Sequence, residues 1–147
     1  MVVRRMTLED VRAVFEISES SFSESWSLES IEKEVDNPVA SYFVAERDGE
    51  VVGYAGLWHV LDEGEVINIA VSERVRKQKI GQKLLEQLLE EARDYDLDVI
   101  HLEVRESNKP ARKLYEKFHF EVIAKRKAYY HLPTEDAVIM EWVKKKV

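Results

Sequence analysis

A carboxylate inside an apolar strand-like run, and a cationic loop ahead of a helix, mark where this chain can do chemistry. Glu103 lies in His-Leu-Glu-Val-Arg, where a β-strand has no use for a carboxylate unless something engages it. Strand alternation puts His101, Glu103 and Arg105 on one face and Leu102 and Val104 on the other. A solvated face with a Glu103–Arg105 ion pair satisfies the same pattern. Earlier in the chain, the apolar run ending at Val71 is followed by Arg74, Arg76, Lys77, Lys79 and Lys83, with Gly81 at the start of a helical pattern. N–H groups left unpaired at a helix start and ringed by cations form a site for an anion, most often a phosphate. Taken alone, the composition of this loop favours a solvated connection.

The elements that must position these residues follow from periodicity. Ile80, Leu84, Leu85, Leu88, Leu89, Ala92 and Tyr95 recur at helical spacing, and Val66–Val71 and Val99–Val104 read as strands before and after that helix. A strand, long helix, strand crossover implies one parallel strand pair. Upstream, a short strand at Val2–Arg5 precedes a helix over Leu8–Ser20 entered through Thr7 and Asp10. Ser27 caps a second helix that must end before Pro38. Asp48-Gly49 joins the strands Tyr42–Glu46 and Val51–Leu57 as a hairpin. Downstream, Pro110 is tolerated in the first turn of a helix over Lys109–Phe118, and two strands, Glu121–Tyr129 and Ala137–Trp142, close the chain. The reading is a three-layer α/β fold: a mixed, mostly antiparallel sheet with one central parallel pair and helices on both faces.

With 147 residues the chain forms one domain, 1–147, large enough for a core without staples. It has no cysteine, which excludes disulfides and thiolate metal sites, and its histidines show no ligand spacing, so no metal is expected. The net charge of −7 argues against general nucleic-acid binding and makes the Arg74–Lys83 cluster a local basic patch suited to a small anionic cofactor. Neither a signal peptide nor a membrane-length apolar run is present, so a cytoplasmic protein without membrane contact is expected.

The chain resembles the GCN5-related N-acetyltransferase (GNAT) family, which transfers an acetyl group from acetyl-coenzyme A to an amine. The family's pyrophosphate loop, R/Q-x-x-G-x-G/A, matches Arg76-Lys77-Gln78-Lys79-Ile80-Gly81, with Lys79 where the first glycine is usual. INIAV (Ile67–Val71), LEVRESN (Leu102–Asn108), LYEKFHF (Leu114–Phe120) and KAYYHLPTEDAVIM (Lys127–Met140) are similar to its RimI-like branch. That branch acts on the N-terminal alanine of a small-subunit ribosomal protein.

The resemblance implies roles residue by residue. Backbone groups of Ile69, Ala70 and Val71 would hold the pantetheine arm and thioester carbonyl. Arg76, Lys77, Gln78, Lys79, Ile80, Gly81 and Gln82 would hold the pyrophosphate, and Asn108 would contact the cofactor or simply cap a helix. Glu103 would be the proton acceptor and Tyr115 the proton donor to the leaving thiolate. Phe22, Trp26, Tyr129 and Tyr130 would line the groove for the protein N-terminus, each also being a candidate core residue. An ordinary glutamate near 4.3 is mismatched to an α-ammonium near 7.7–8.0 by roughly 3.5 units. That asks for a relay through water or a site that makes the carboxylate more basic. The same numbers leave an α-amine roughly 10–20% neutral at pH 7 and a lysine well below 0.1%, which favours N-termini. A tyrosine near 10 is a weaker acid than a thiol near 8.5, so complete proton transfer to the thiolate is uphill by roughly 2 kcal/mol. Competing readings are a small-amine, polyamine or lysine acetyltransferase and a non-catalytic acyl-coenzyme A-binding module. The presence of both Glu103 and Tyr115 opposes the last.

Overall fold

The computed structural model describes residues 1–76 and 78–144. Strand β1 (Val2–Arg5) leads through a single 3-10 turn at Leu8–Asp10 into α1 (Val11–Ser21) and α2 (Leu28–Val35). The first helix therefore begins later than its apolar pattern suggests. The Thr7 backbone N–H donates to Asp10 Oδ2 at 2.8 Å, and Arg4 grips the same carboxylate with bonds of 2.8 and 2.9 Å. Strands β2 (Ala40–Arg47), β3 (Glu50–Val60) and β4 (Glu63–Val71) form the antiparallel meander. Its first turn uses the left-handed conformation at both Asp48 (φ 52°) and Gly49 (φ 78°), as Asp-Gly predicts. Helix α3 (Ile80–Asp94), β5 (Val99–Arg105), α4 (Lys109–Lys117), β6 (Glu121–Tyr130) and β7 (Glu135–Val143) complete the chain. No helix among the described residues is long and apolar enough to cross a membrane.

The sheet order is β1-β2-β3-β4-β5-β7-β6, with β4 and β5 the parallel neighbours and every other pair antiparallel. Two apolar layers clamp it. On one face Ile80, Leu84, Leu85 and Leu88 of α3 are buried with Leu57, Ile100, Leu102 and Tyr115. Each of these leucines is worth roughly 1.5–3 kcal/mol of burial. On the other face Val11, Val14 and Ile17 of α1 and Ile31 of α2 pack on Tyr42, Val44, Tyr54 and Ala70. The alternation of β5 is as read from sequence: Ile100, Leu102 and Val104 enter the α3 layer, while His101, Glu103 and Arg105 turn to the other face.

Candidate active site

The site exists because β4 and β5 part company. They pair only at their starts, Glu63 with Val99, Gly64 with Ile100 and Glu65 with His101. Beyond Glu65 no ladder joins them, and a cleft of about 670 Å³ opens between Ile67–Ile69 on one side and Leu102–Arg105 on the other. On its far side β4 remains paired with β3, so the backbone groups of β4 aimed into the cleft lack a strand partner. A β-bulge sharpens this. Gly56 pairs with Asn68 and Leu57 with Val66, so Ile67 is an extra residue on β4. The bulge inverts the alternation: Val66 faces the α3 layer before it, Ile69 and Val71 after it. Ala70 packs into the α1 layer, so Ile69, Ala70 and Val71 have backbone rather than side chains to offer a ligand. Ile69 borders the cleft itself; Ala70 and Val71 carry the strand on towards the basic loop.

The cationic loop is more selective than its composition. Arg74 reaches back to Glu50 at 2.6 Å, and Arg76 donates to the Val71 carbonyl at 3.3 Å and pairs with Glu73 at 3.6 Å. Gln78 accepts a hydrogen bond from Arg47. Lys77, assigned to the pyrophosphate by the loop motif, lies outside the described residues. Lys79 is the N-cap of α3 in a left-handed conformation, φ 62°. This is a conformation glycine adopts freely and other residues enter at a cost of about 1 kcal/mol, so the family's usual glycine at this position has a backbone reason. Ile80 is 1% exposed and its side chain belongs to the core. The first intrahelical bond runs from Lys83 N to Lys79 O at 3.2 Å, which leaves the N–H groups of Ile80, Gly81 and Gln82 without helix partners. Gln82's side chain is occupied by Glu86 at 3.2 Å and Lys117 at 2.8 Å, so its contribution is likewise its backbone. A Cβ at Gly81 would make only ordinary contacts, 3.7 Å to Leu114 and 3.9 Å to Val71. Packing within the protein does not demand glycine there.

Asn108 caps α4, its side chain accepting from Ala111 N at 3.3 Å, and it also borders the cleft. The capping role is formed, and the same residue stands at the cleft. Glu103 and Tyr115 reach the gap from opposite faces of the sheet. Glu103 lies on the α1 face with Arg126 Nη1 at 3.7 Å, and the Glu103–Arg105 ion pair that alternation allowed is not formed. Tyr115 comes from α4 on the other face, its ring 5.7 Å from Phe120. Burial, with Tyr130 beside it, pushes the Tyr115 phenol well above the ordinary tyrosine value. A phenol shifted in this direction holds its proton more tightly than a free tyrosine.

The aromatic residues singled out in the sequence converge on the same cleft. Phe22 and Trp26 border it from the α1–α2 loop while packing on the α1 layer, and Tyr129 and Tyr130 border it from the end of β6. The two tyrosine rings meet edge to face at 5.0 Å. Tyr129 lies by the Glu103 carboxylate, which raises its phenol pKa, and burial pushes Tyr130 up to about 12. Arg105 ties these walls together. Its guanidinium donates to Ser23 Oγ at 3.1 Å on the first loop, and to the carbonyls of His131 and Pro133, both at 2.9 Å, on the second.

Three residues of the site escaped the sequence reading. Trp58 lies 6.1 Å from Trp26 and donates to Glu34 Oε2 at 2.6 Å; nothing in its own strand pattern marks it. Glu65 faces the cleft at the last paired position, where desolvation first, then Glu103, raises its pKa. A charge in an otherwise apolar strand was the available signal, the same one that exposed Glu103. Arg105 was read only as a possible ion-pair partner.

The chain matches the model of the acetyltransferase (GNAT) family over residues 11–120 and belongs to that family. It is 43% identical over 142 residues to a Bacillus subtilis protein provisionally named a ribosomal protein bS18-alanine N-acetyltransferase, covering 96% of this chain and 93% of that one. It is 32% identical to an N-alpha-acetyltransferase of Sulfolobus acidocaldarius, covering 94% and 89%. The crystal structure of the ribosomal-protein-S18-alanine N-acetyltransferase from Escherichia coli superposes with a TM-score of 0.91 at 28% identity, over 99% of this chain and 95% of that one.

Proposed function

We propose that this chain acetylates the N-terminal α-amine of a protein, using acetyl-coenzyme A, and that its target is the N-terminal alanine of a small-subunit ribosomal protein in the cytoplasm. The observation that carries this reading is the gap between β4 and β5, with Glu103 on one face and Tyr115 on the other. The named functions of the relatives support the choice of amine.

The residues present fit acetyl-coenzyme A. The unpartnered edge of β4 at Ile67–Ile69, extended by Ala70 and Val71, suits an amide-bearing arm. The N–H groups of Ile80, Gly81 and Gln82 suit a pyrophosphate, and Gly81 lets it approach the backbone closely. Arg76, Gln78 and Lys79 precede that helix start and are proposed to hold the pyrophosphate with it, and Asn108 borders the cleft. When bound, acetyl-coenzyme A supplies an activated acetyl carbonyl. Glu103, directly or through water, takes one proton from the α-ammonium. The freed nitrogen lone pair forms the amide bond to the acetyl carbon as the carbon–sulfur bond breaks. N–H groups of β4 stabilise the charge that develops on the carbonyl oxygen. The nitrogen's second proton ends on the sulfur, whose negative charge Tyr115 stabilises by donating a hydrogen bond. Phe22, Trp26, Tyr129 and Tyr130 hold the acceptor chain. The reaction so written calls for no metal.

The test offers acetyl-coenzyme A with one of two peptides. One has a free N-terminal alanine and no lysine; the other is N-terminally blocked and carries lysine. Acetylation of the first, with the second much slower, is expected. Equal or faster reaction at lysine would refute the N-terminal assignment.

A further inference from the structure

The cleft is closed at one end and strapped at the other. At Glu65 and His101 the β4–β5 ladder shuts it, so the open direction along β5 from Glu103 leads to the splayed end, where Arg105 stands. Arg105 Nη2 donates to Ser23 Oγ at 3.1 Å and to the His131 carbonyl at 2.9 Å; Nη1 donates to the Pro133 carbonyl at 2.9 Å and to Glu135 Oε1 at 3.3 Å. Ser23 Oγ itself donates to the His131 carbonyl at 3.1 Å, which closes a bridge between the two loops. The guanidinium also lies 4.6 Å from the centre of the Tyr130 ring. Its charge is matched by Glu135, which accepts from the Ser107 backbone N–H at 2.6 Å and so is fixed to the end of the same strand. A fork of this kind needs the planar, multi-donor geometry of arginine; a lysine ammonium cannot span it.

Glu103 and Arg105 lie two residues apart on one face of β5, a separation of about 7 Å. An extended acceptor chain advances at the same rate per residue. With its α-amine at Glu103, its second and third residues lie under the bridge. We propose that Arg105 is a positioning residue that clasps both loops over the second and third residues of the acceptor, at a distance from Glu103 that β5 fixes. This inference rests on the N-terminal acetylation reading and adds to it a length requirement: affinity is gained from residues beyond the first.

The readout is a ratio, kcat/KM for an alanine-initiated hexapeptide over that for an alanine-initiated dipeptide amide, at saturating acetyl-coenzyme A. In the parent the ratio should be well above one, through a lower KM for the longer peptide. Arg105→Lys should lower the ratio roughly tenfold, the scale of one lost charge-assisted contact, with the KM for acetyl-coenzyme A held within twofold. Ser23→Ala, which removes one strut from the opposite loop and leaves β5 untouched, should lower the ratio in the same direction by less. A ratio unchanged in both variants, or equal losses on both peptides, would overturn the clasp. A parent that acetylates neither peptide would instead overturn the N-terminal reading on which the clasp rests.

Discussion

The two halves of the cleft are built from different material. On the cofactor side, a bulged strand edge and the start of α3 present backbone N–H groups. The nearby side chains are largely committed elsewhere: Ile80 to the core, Gln82 to Glu86 and Lys117, Arg74 to Glu50. On the proposed acceptor side, side chains line the cleft: Glu103, Tyr129 and Tyr130, with Phe22 and Trp26 opposite and Arg105 between the loops. Backbone geometry is insensitive to most substitutions and suits a ligand that never varies. Side chains on loops can change without disturbing the sheet, which suits an acceptor that differs from one relative to another.

The sharpest way to break that division is Glu103→Gln. It removes the proposed proton acceptor and leaves the β4 edge intact, so kcat should fall about 10²- to 10⁴-fold with little change in the KM for acetyl-coenzyme A. Full activity from pH 6 to 9 would return Glu103 to a solvated strand face paired with Arg126.

Tyr115→Phe should come next, a loss of about 10- to 100-fold in kcat from one hydrogen bond to a developing charge. Its pH behaviour sharpens the case. Burial raises the Tyr115 pKa, so the protonated, donating form persists to higher pH than in free tyrosine and would be lost only above it. Stopped-flow rates in the parent should therefore show no alkaline limb assignable to tyrosine below about pH 10. A limb near pH 9 that disappears in Tyr115→Phe would contradict the buried donor.

Lys79→Gly has the smallest expected effect and probes the cofactor half. It relieves the left-handed strain at φ 62°, which should stabilise the fold by up to about 1 kcal/mol in a denaturant titration. If the Lys79 ammonium contacts phosphate, the KM for acetyl-coenzyme A should rise several-fold, and the parent's KM should be the more sensitive to salt. A KM that holds or falls would defeat a phosphate contact by Lys79 and leave the backbone site standing.

The same contrast explains what could be read in the sequence. The cofactor half is local: strand, loop and helix follow one another, and a single window from Ile67 to Leu85 displays the strand, the cations, the glycine and the helical stripe. Glu103 stood out as a carboxylate in a periodic strand, whereas Tyr115 was singled out by the family resemblance, its helical stripe alone marking it as a core residue. The Ile67 bulge was not, because a bulge is defined by register against β3, and no property of Ile67 announces it. The early end of the β4–β5 ladder was hidden for a like reason: a crossover predicts that two strands are parallel neighbours and is silent on where they separate. Trp58 joined the site only through contacts with Trp26 and Glu34, and Arg105 through partners on two distant loops. Glu65 was legible by the rule applied to Glu103 and was passed over.

The measurement that bears most directly on the division of labour is a calorimetric titration of acetyl-coenzyme A into the Glu103→Gln protein. Backbone groups of β4 and α3 should hold the cofactor whatever stands at position 103, so the Kd should stay within about twofold of the parent's while turnover collapses. A Kd that rises tenfold or more in step with the loss of turnover would contradict the separation of the two halves.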